Sequence, residues 1–203
     1  MPRDHDDPKA PWIPLGFEEA ALTEFAFLVR EFGFRLAHSD PSLVRLESPN
    51  GVGVEVWLER GSFELSADLL RLRPNPNERF TTWEVARLAK APGVTVASWL
   101  QASTPQAVAE GVARLSGLLR TYGSEALHGD ERIFQGLRAL QLSESDRFLA
   151  EGRAAWARSA LDKAWADRNY HRVIELLEGI ADQLTPAEYK KLTYARKQFG
   201  AGS

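Results

Sequence analysis

Residues 52–70 read VGVEVWLERGSFELSADLL, two alternating runs on either side of an Arg-Gly turn. In the first run the apolar residues occupy every second position, which is the side-chain repeat of a β-strand. The second run shows the same repeat, and Arg60-Gly61 between the runs is typical of a hairpin connection. The sequence therefore predicts two antiparallel strands that share one apolar face and one polar face.

The polar face of this hairpin carries our candidate partner-binding residues. They are Glu55, Trp57, Glu59, Glu64 and Asp68. A large aromatic side chain among carboxylates fits a protein-binding surface, because interface cores favour Trp and acidic groups steer basic partners. The alternative is that a later helix of the same chain covers Trp57, and the sequence leaves both interpretations open.

The preceding residues extend this unit towards the N-terminus. Residues 34–38 and 43–48 also alternate, and turn residues at 40–41 and 49–51 separate the runs. From Phe17 to Phe32 the apolar residues recur instead at helical spacing. We predict an α+β fold in which this helix packs on a four-stranded antiparallel meander. Two prolines, at positions 74 and 76, are expected to end the sheet.

The rest of the chain has a mainly helical pattern. A short helix is predicted from Thr81 or Thr82 to about Lys90, and residues 94–100 fit either a short strand or a connector. A run of about five helices follows, over residues 105–122, 130–142, 143–167, 170–184 and from Pro186 to before Gly200. Thr104-Pro105 and Thr185-Pro186 are N-terminal capping signals for the first and last of these. The predicted organisation is an irregular leader at 1–15, a sheet part at 16–78 and a helical part at 79–203, which could also form one continuous domain.

Composition and charge limit the function classes. Residues 1–78 hold 8 Lys and Arg against 14 Asp and Glu, whereas the whole chain has a formal net charge of only -3. An acidic sheet region disfavours nucleic acid on that face and suits a basic protein partner. The chain has no cysteine, which excludes disulfides and thiolate catalysis. No signal peptide or membrane span is evident, so no membrane is expected and the predicted location is cytoplasmic.

The C-terminal part resembles a tetratricopeptide repeat. The matching residues are AWADRNY at 164–170, VIELL at 173–177 and Leu184-Thr185-Pro186. Arg168-Asn169 replaces the repeat's glycine and Val173 its alanine, and the match covers about one and a half repeats, fewer than the three that a stable solenoid needs. The resemblance implies a helical hairpin of a type used in protein interaction.

A second resemblance concerns the layout of the chain. The helix and meander, together with Tyr122-Gly123, LHGD at 127–130 and Phe134, look like small bacterial proteins found beside secreted toxins. Some of those proteins confer immunity by binding a toxin's active site. The resemblance implies an inhibitor or immunity-type protein for a basic bacterial toxin.

No established catalytic motif appears, and no cofactor or metal site is expected. The cluster Asp4-His5-Asp6-Asp7 lies in the leader, where ligands have no preset geometry. The four histidines show no paired spacing typical of zinc enzymes. An alternative hypothesis is an enzyme of unfamiliar type, which would hold an anionic substrate near Arg71, Arg73, His128 and Asp130.

The leading hypothesis is a non-enzymatic protein-binding module. Besides the enzyme, a third hypothesis is a nucleic-acid-associated adaptor that uses the basic C-terminal helix. Its cations are Lys190, Lys191, Arg196 and Lys197. Because cations also suit a helix C-terminus, this reading is the less favoured one. The open edge of the predicted sheet also permits a homodimer.

Overall fold

The computed structural model describes residues 15–73, 77–93 and 100–201. The chain divides into two compact units, Met1–Leu140 and Gln141–Ser203. The predicted α+β class is confirmed. The predicted boundary at residue 78 differs from this division, because the helices up to residue 140 belong to the same unit as the sheet. The predicted leader falls almost entirely outside the described residues.

The sheet of the first unit contains the four predicted strands and two more. The strands are β1 (Arg35–Asp40), β2 (Leu43–Glu47), β3 (Val52–Leu58), β4 (Glu64–Arg71), β5 (Glu78–Thr81) and β6 (Leu100–Gln101). Their order is β1-β2-β3-β4-β5, all neighbours are antiparallel, and β6 also pairs with β4. The expectation that the prolines end the sheet is wrong: they lie between β4 and β5, and the chain returns to the β4 edge after them.

The alternation of β3 and β4 produces the two predicted faces. Val54 lies opposite Leu69, and Glu55 lies opposite Asp68. The inner face carries the valines of β3 and the apolar residues Val44, Leu46, Leu65, Ala67, Leu69 and Phe80, all buried. The outer face carries Arg45, Glu55, Trp57, Asp68 and Arg79. The apolar inner face is thus confirmed, and burying it is the main favourable term for this unit.

Besides the start of a longer helix that supplies Phe134 and Leu137 to the core, five helices within the described residues complete the first unit. They are α1 (Phe17–Glu24), α2 (Ala26–Phe32), α3 (Thr82–Leu88), α4 (Pro105–Tyr122) and α5 (Ser124–Leu127). The predicted first helix is interrupted at Phe25, whose backbone leaves the helical region. The helices α1, α3 and α4 contact the sheet and contribute Phe17, Val85 and Val112 to the core on its inner face.

The capping signals of α3 and α4 are confirmed. The Thr81 hydroxyl accepts a hydrogen bond from the Glu84 amide, and the Glu84 carboxylate accepts one from the Thr81 amide. The Thr104 hydroxyl accepts from the Ala107 amide, with Pro105 at the first helical position. Residues 94–99 lie outside the described residues, and Leu100–Gln101 forms the short strand β6.

A long helix, α6 (Glu131–Ala166), runs across the boundary between the units. The sequence predicted two helices here, with a new one beginning near Ser143. That prediction is wrong, because no proline or other helix-breaking residue interrupts residues 139–146 and a serine can be accommodated in a helix interior.

The second unit contains α6 from Gln141 onward, together with α7 (Tyr170–Glu178) and α8 (Pro186–Ala201). Its core contains Ala154, Ala157 and Leu161 of α6, Val173 and Leu177 of α7, and Leu192 and Ala195 of α8. α7 is shorter than predicted and is followed by a single 3₁₀ turn at Ala181–Gln183. The predicted capping box at Thr185 is present, with its amide donating to the Glu188 carboxylate. Among the described residues, no helix is long and apolar enough to cross a membrane.

Candidate functional site

The predicted binding residues lie together on the outer face. Glu55 and Trp57 project from β3, and Glu64 and Asp68 come from β4. Trp57 lies opposite Ser66 in the register, and Glu59 follows β3, where its amide donates to the carbonyl of Glu64. Their placement on one face follows from the two-residue repeat of paired strands.

Two of these carboxylates are not exposed acids. Glu55 is 8% exposed and Asp68 only 3%. The guanidinium of Arg79 bridges them, with Nη2 at 2.5 Å from Glu55 Oε1 and Nη1 at 2.5 Å from Asp68 Oδ2. The expectation that Glu55 and Asp68 present their charge to solvent is therefore wrong, because both carboxylates are buried and bonded to the chain's own arginine.

Arg79 is held charged by the same contacts. Burial opposes its charge, but hydrogen bonds to Glu55 and Asp68 outweigh burial and raise the pKa of Arg79 above its usual value. Since the guanidinium is planar and offers several N–H donors, one arginine can serve two carboxylates at once. A lysine at this position would lack that geometry.

Trp57 is fixed by Asp68. Its indole Nε1 donates to Asp68 Oδ2 at 3.1 Å, while the Ser66 hydroxyl donates to Asp68 Oδ1 at 3.2 Å. Asp68 therefore receives donors from three residues, which compensates the cost of burying its charge. The indole ring remains half-buried, so part of its apolar surface is open to a partner.

Arg45 of β2 completes the charged cluster. Its Nη1 lies 3.8 Å from Glu55 Oε2, and its Nε lies 2.8 Å from Glu47 Oε1. Neither Arg45 nor Arg79 is among the binding residues predicted from the sequence. Arg45 could have been found, because it shares the strand repeat with Leu43 and Glu47 beside β3. Arg79 could not, because β5 was not predicted.

An open depression of about 420 Å³ lies beside Trp57. Leu43, Trp57 and Leu58 provide its apolar lining, and Glu59, Arg60 and Arg79 are among its polar residues. A second depression of about 370 Å³ also contains Leu43 and extends past Arg45 and Glu47. The outer face thus offers a continuous shallow surface centred on Leu43 and Trp57, suited to a protein surface better than to an enclosed small molecule.

Three of the four residues of the enzyme hypothesis, Arg71, His128 and Asp130, are engaged in separate structural contacts. Arg71 donates to Glu131 at 2.9 Å and packs 4.9 Å from the Phe134 ring. His128 Nδ1 lies 2.8 Å from the Ser124 carbonyl oxygen, and Asp130 pairs with Arg132. None of these contacts joins His128 to Asp130 as a general acid–base pair would require.

The remaining charged residues concern the metal and nucleic-acid hypotheses. Within residues 15–73, 77–93 and 100–201, no group of three or more potential ligands could hold a metal ion, and the Asp4–Asp7 cluster lies outside that range. Of the basic residues of α8, Arg196 pairs with Glu178 at 2.7 Å, and Lys191 lies 3.7 Å from Asp162 and 5.5 Å from the Trp165 ring. These contacts give two of the four cations a role within the second unit.

No known protein family, curated protein or solved structure matches this chain. The class that the fold defines is an α+β protein with an antiparallel sheet and helices on its inner face. The two resemblances drawn from the sequence stay predictions.

Proposed function

We propose that this protein is a non-enzymatic protein-binding module that recognises its partner through the outer face, with Trp57 as the central anchor. The observation that carries the proposal is a half-buried tryptophan held in place by Asp68 beside an open depression. Tryptophan is enriched among residues that dominate binding energy. Because its indole is already fixed, binding would cost less side-chain entropy than ordering a free ring.

The partner in this proposal is a basic protein. Glu59 is exposed, Glu64 is half-buried, and Glu47 has 37% of its side chain exposed. Glu59 and Glu64 lie near Trp57, each two residues along the chain from the Trp57–Ser66 pair, whereas Glu47 lies farther away, opposite Gly53. Glu55 and Asp68 instead hold Arg79 and the indole. Acidic groups around an apolar anchor steer a basic partner and raise its association rate. A toxin with a basic active site is the kind of partner that the immunity-like layout implies. We also propose that the protein is located in the cytoplasm.

The test is capture of a partner by the full chain from its source cell, followed by measured binding of that partner to variants. Trp57→Ala should weaken binding at least tenfold, because central tryptophans typically contribute that much or more. The double change Glu59→Lys and Glu64→Lys should slow association and reduce its salt dependence. Glu55 and Asp68 are unsuitable for substitution, since changing them would disturb the Arg79 bridge.

The control is Glu110→Lys, which makes the same charge change as either of the two single substitutions, at an exposed position of α4. It should leave binding unchanged within about threefold, apart from a small long-range effect. The proposal is wrong if Trp57→Ala and Glu59→Lys/Glu64→Lys bind the captured partner as tightly as the unchanged chain.

A further inference from the structure

Helix α6 carries large apolar side chains in water over residues 142–156. Leu142 is 67% exposed, Phe148 74%, Leu149 58% and Trp156 59%. The core of the second unit uses other positions of this helix, beginning at Ala154. Scattered exposed apolar residues are normal, but Leu142, Leu149 and Trp156 recur at intervals of seven and so form one stripe along the helix.

Small residues accompany this stripe. Ser145, Gly152 and Ser159 each lie three positions after a large apolar residue and are exposed. Gly152 is the most informative of them, because glycine is unfavourable in a helix interior and no atom lies within 4 Å of a Cβ added there. Nothing within the described residues requires a glycine at this position. A glycine at this position leaves room for the close approach of another backbone or side chain.

We propose that the protein forms a homodimer in which α6 pairs with α6 of a second copy in antiparallel orientation, about a twofold axis between residues 150 and 151. In this register Leu149 packs over Gly152 of the second copy. Likewise Trp156 packs over Ser145, and Leu142 over Ser159. Every large side chain then meets a small one, which is the arrangement that well-packed helix pairs use.

The flanks of the stripe are complementary in the same register. Asp146 comes next to Arg153 of the second copy on one flank, and both side chains are exposed. On the other flank Phe148 comes next to Ala155. Within a single chain Asp146 and Arg153 are seven residues apart, about 10.5 Å along the helix, and so do not pair. A parallel dimer would instead stack Trp156 on Trp156 and Gly152 on Gly152, leaving gaps.

The sheet edge is a poorer surface for a dimer. Within the described residues, β5 at one edge of the sheet is only 4 residues long, and at the other edge the register of β1 against β2 shifts between Leu36 and His38, as at a β-bulge or similar irregularity. Bulges bend an edge and hinder the addition of a further strand. The α6 stripe therefore offers the better surface for a second copy.

The first experiment measures the mass of the full chain by sedimentation equilibrium over a range of concentrations. The unchanged chain should approach twice its 22.6 kDa at high concentration. Gly152→Gln should raise the dissociation constant of the dimer at least tenfold, because the glutamine side chain fills the space over which Leu149 of the second copy packs. Glutamine is a better helix former than glycine, so a loss of helix cannot explain this result. Gly117→Gln is the matched control: it replaces an exposed α4 glycine that also has open space around it, and it should dimerise normally.

The second experiment exchanges the flanking charges. Asp146→Arg alone and Arg153→Asp alone should each weaken the dimer, because each places like charges together twice by symmetry. The double variant should recover affinity to within about threefold of the unchanged chain, since the pairing is restored in reverse. Such recovery is specific to a second copy, because a different protein on this stripe would not carry the compensating change.

The third experiment tests orientation. The chain has no cysteine, so Lys163→Cys gives a single site for a spin label. Antiparallel pairing about the proposed axis predicts a separation of about 38 Å between the two backbone positions, whereas parallel pairing predicts about 10 Å. The proposal is wrong if the unchanged chain stays monomeric at about 100 µM or if Gly152→Gln leaves the dimer intact. It is also wrong if the double charge variant dimerises as weakly as the single variants, or if the labels lie about 10 Å apart.

Discussion

Arg79 is the residue that determines the chemistry of the outer face. It comes from β5, the strand that the sequence argument missed, and it joins Glu55 of β3 to Asp68 of β4. Both carboxylates are buried, whereas half of the Arg79 side chain is exposed. The cluster therefore combines buried acceptors with a donor that water partly reaches.

Arg79→Met should destabilise the first unit by about 2 kcal/mol, because it removes the cation from buried Asp68 and leaves Glu55 with the more distant Arg45, at 3.8 Å. The expected value lies below that of a fully buried pair, since water can reach part of the vacated space. Urea unfolding monitored by circular dichroism measures it. The triple variant Arg79→Met/Glu55→Gln/Asp68→Asn should recover most of the loss. If the single variant is as stable as the unchanged chain, the bridge has no structural role.

Glu188 is a carboxylate of the second unit whose pKa is strongly lowered. The hydrogen bond from Arg158, with further bonds from Thr185, lowers the pKa of Glu188 from 4.5 to about 2 despite the opposing effect of burial. Because the folded state has the lower pKa, this contribution to stability is complete above pH 4.5. It is lost as the pH falls from 4.5 towards 2.

The prediction is that Glu188→Gln reduces the stability of the second unit at pH 7 and that the difference from the unchanged chain shrinks as the pH falls from 4.5 to 2. Thermal unfolding of both chains at pH 7, 4.5 and 3 measures this difference, and other carboxylates cancel in the comparison. A difference that stays constant with pH would contradict the assignment.

At the level of elements, the approach of α4 to the sheet depends on Gly111. A Cβ added there would lie 2.6 Å from Leu65 Cδ2, and Leu65 is itself buried in β4. Gly117 lies in the same helix, faces solvent and has no atom within 4 Å of an added Cβ. The two glycines thus separate the effect of packing from that of helix propensity.

Gly117→Ala should stabilise the protein by about 0.5–1 kcal/mol, because alanine loses less backbone freedom in a helix. Gly111→Ala gains the same propensity but forces Leu65 to move, so it should be the less stable variant by about 1–3 kcal/mol. Chemical unfolding of both variants tests the contrast. Equal effects at the two positions would mean that α4 does not pack closely on β4.

At the scale of the whole molecule, the chain has two separate cores. One contains Val54, Leu69 and Leu119 of the first unit, and the other contains Val173 and Leu177 of the second. No residue belongs to both clusters, although α6 runs from one unit into the other. Local stability is expected to follow these cores.

Leu177→Ala removes a fully buried side chain from the second core and should destabilise that unit by about 2–5 kcal/mol. Hydrogen exchange should then quicken in α7 and α8 while β3 and β4 keep their protection. Leu69→Ala, equally buried in the first core, should show the converse pattern. If either variant accelerates exchange equally in both units, the cores unfold as one.

Local features of the sequence predicted four of the six described strands, the caps and the two faces of the sheet. The alternation in residues 52–70 places Trp57 and Glu55 on one side and the valines on the other in any antiparallel pairing, because the repeat is a property of the extended backbone. The caps at Thr81, Thr104 and Thr185 are equally local, since each bonds to an amide within three residues.

The tertiary structure alone decided what the outer face presents. The bridging of Glu55 and Asp68 by Arg79 joins residues 24 and 11 positions apart along the chain. Which charges meet depends on which strands become neighbours, and that is set by burial of the inner face rather than by any pattern near Arg79. For the same reason the sequence could place an acidic patch on this side, but only the folded sheet shows that its central carboxylates are buried against Arg79 and that Asp68 holds Trp57 there.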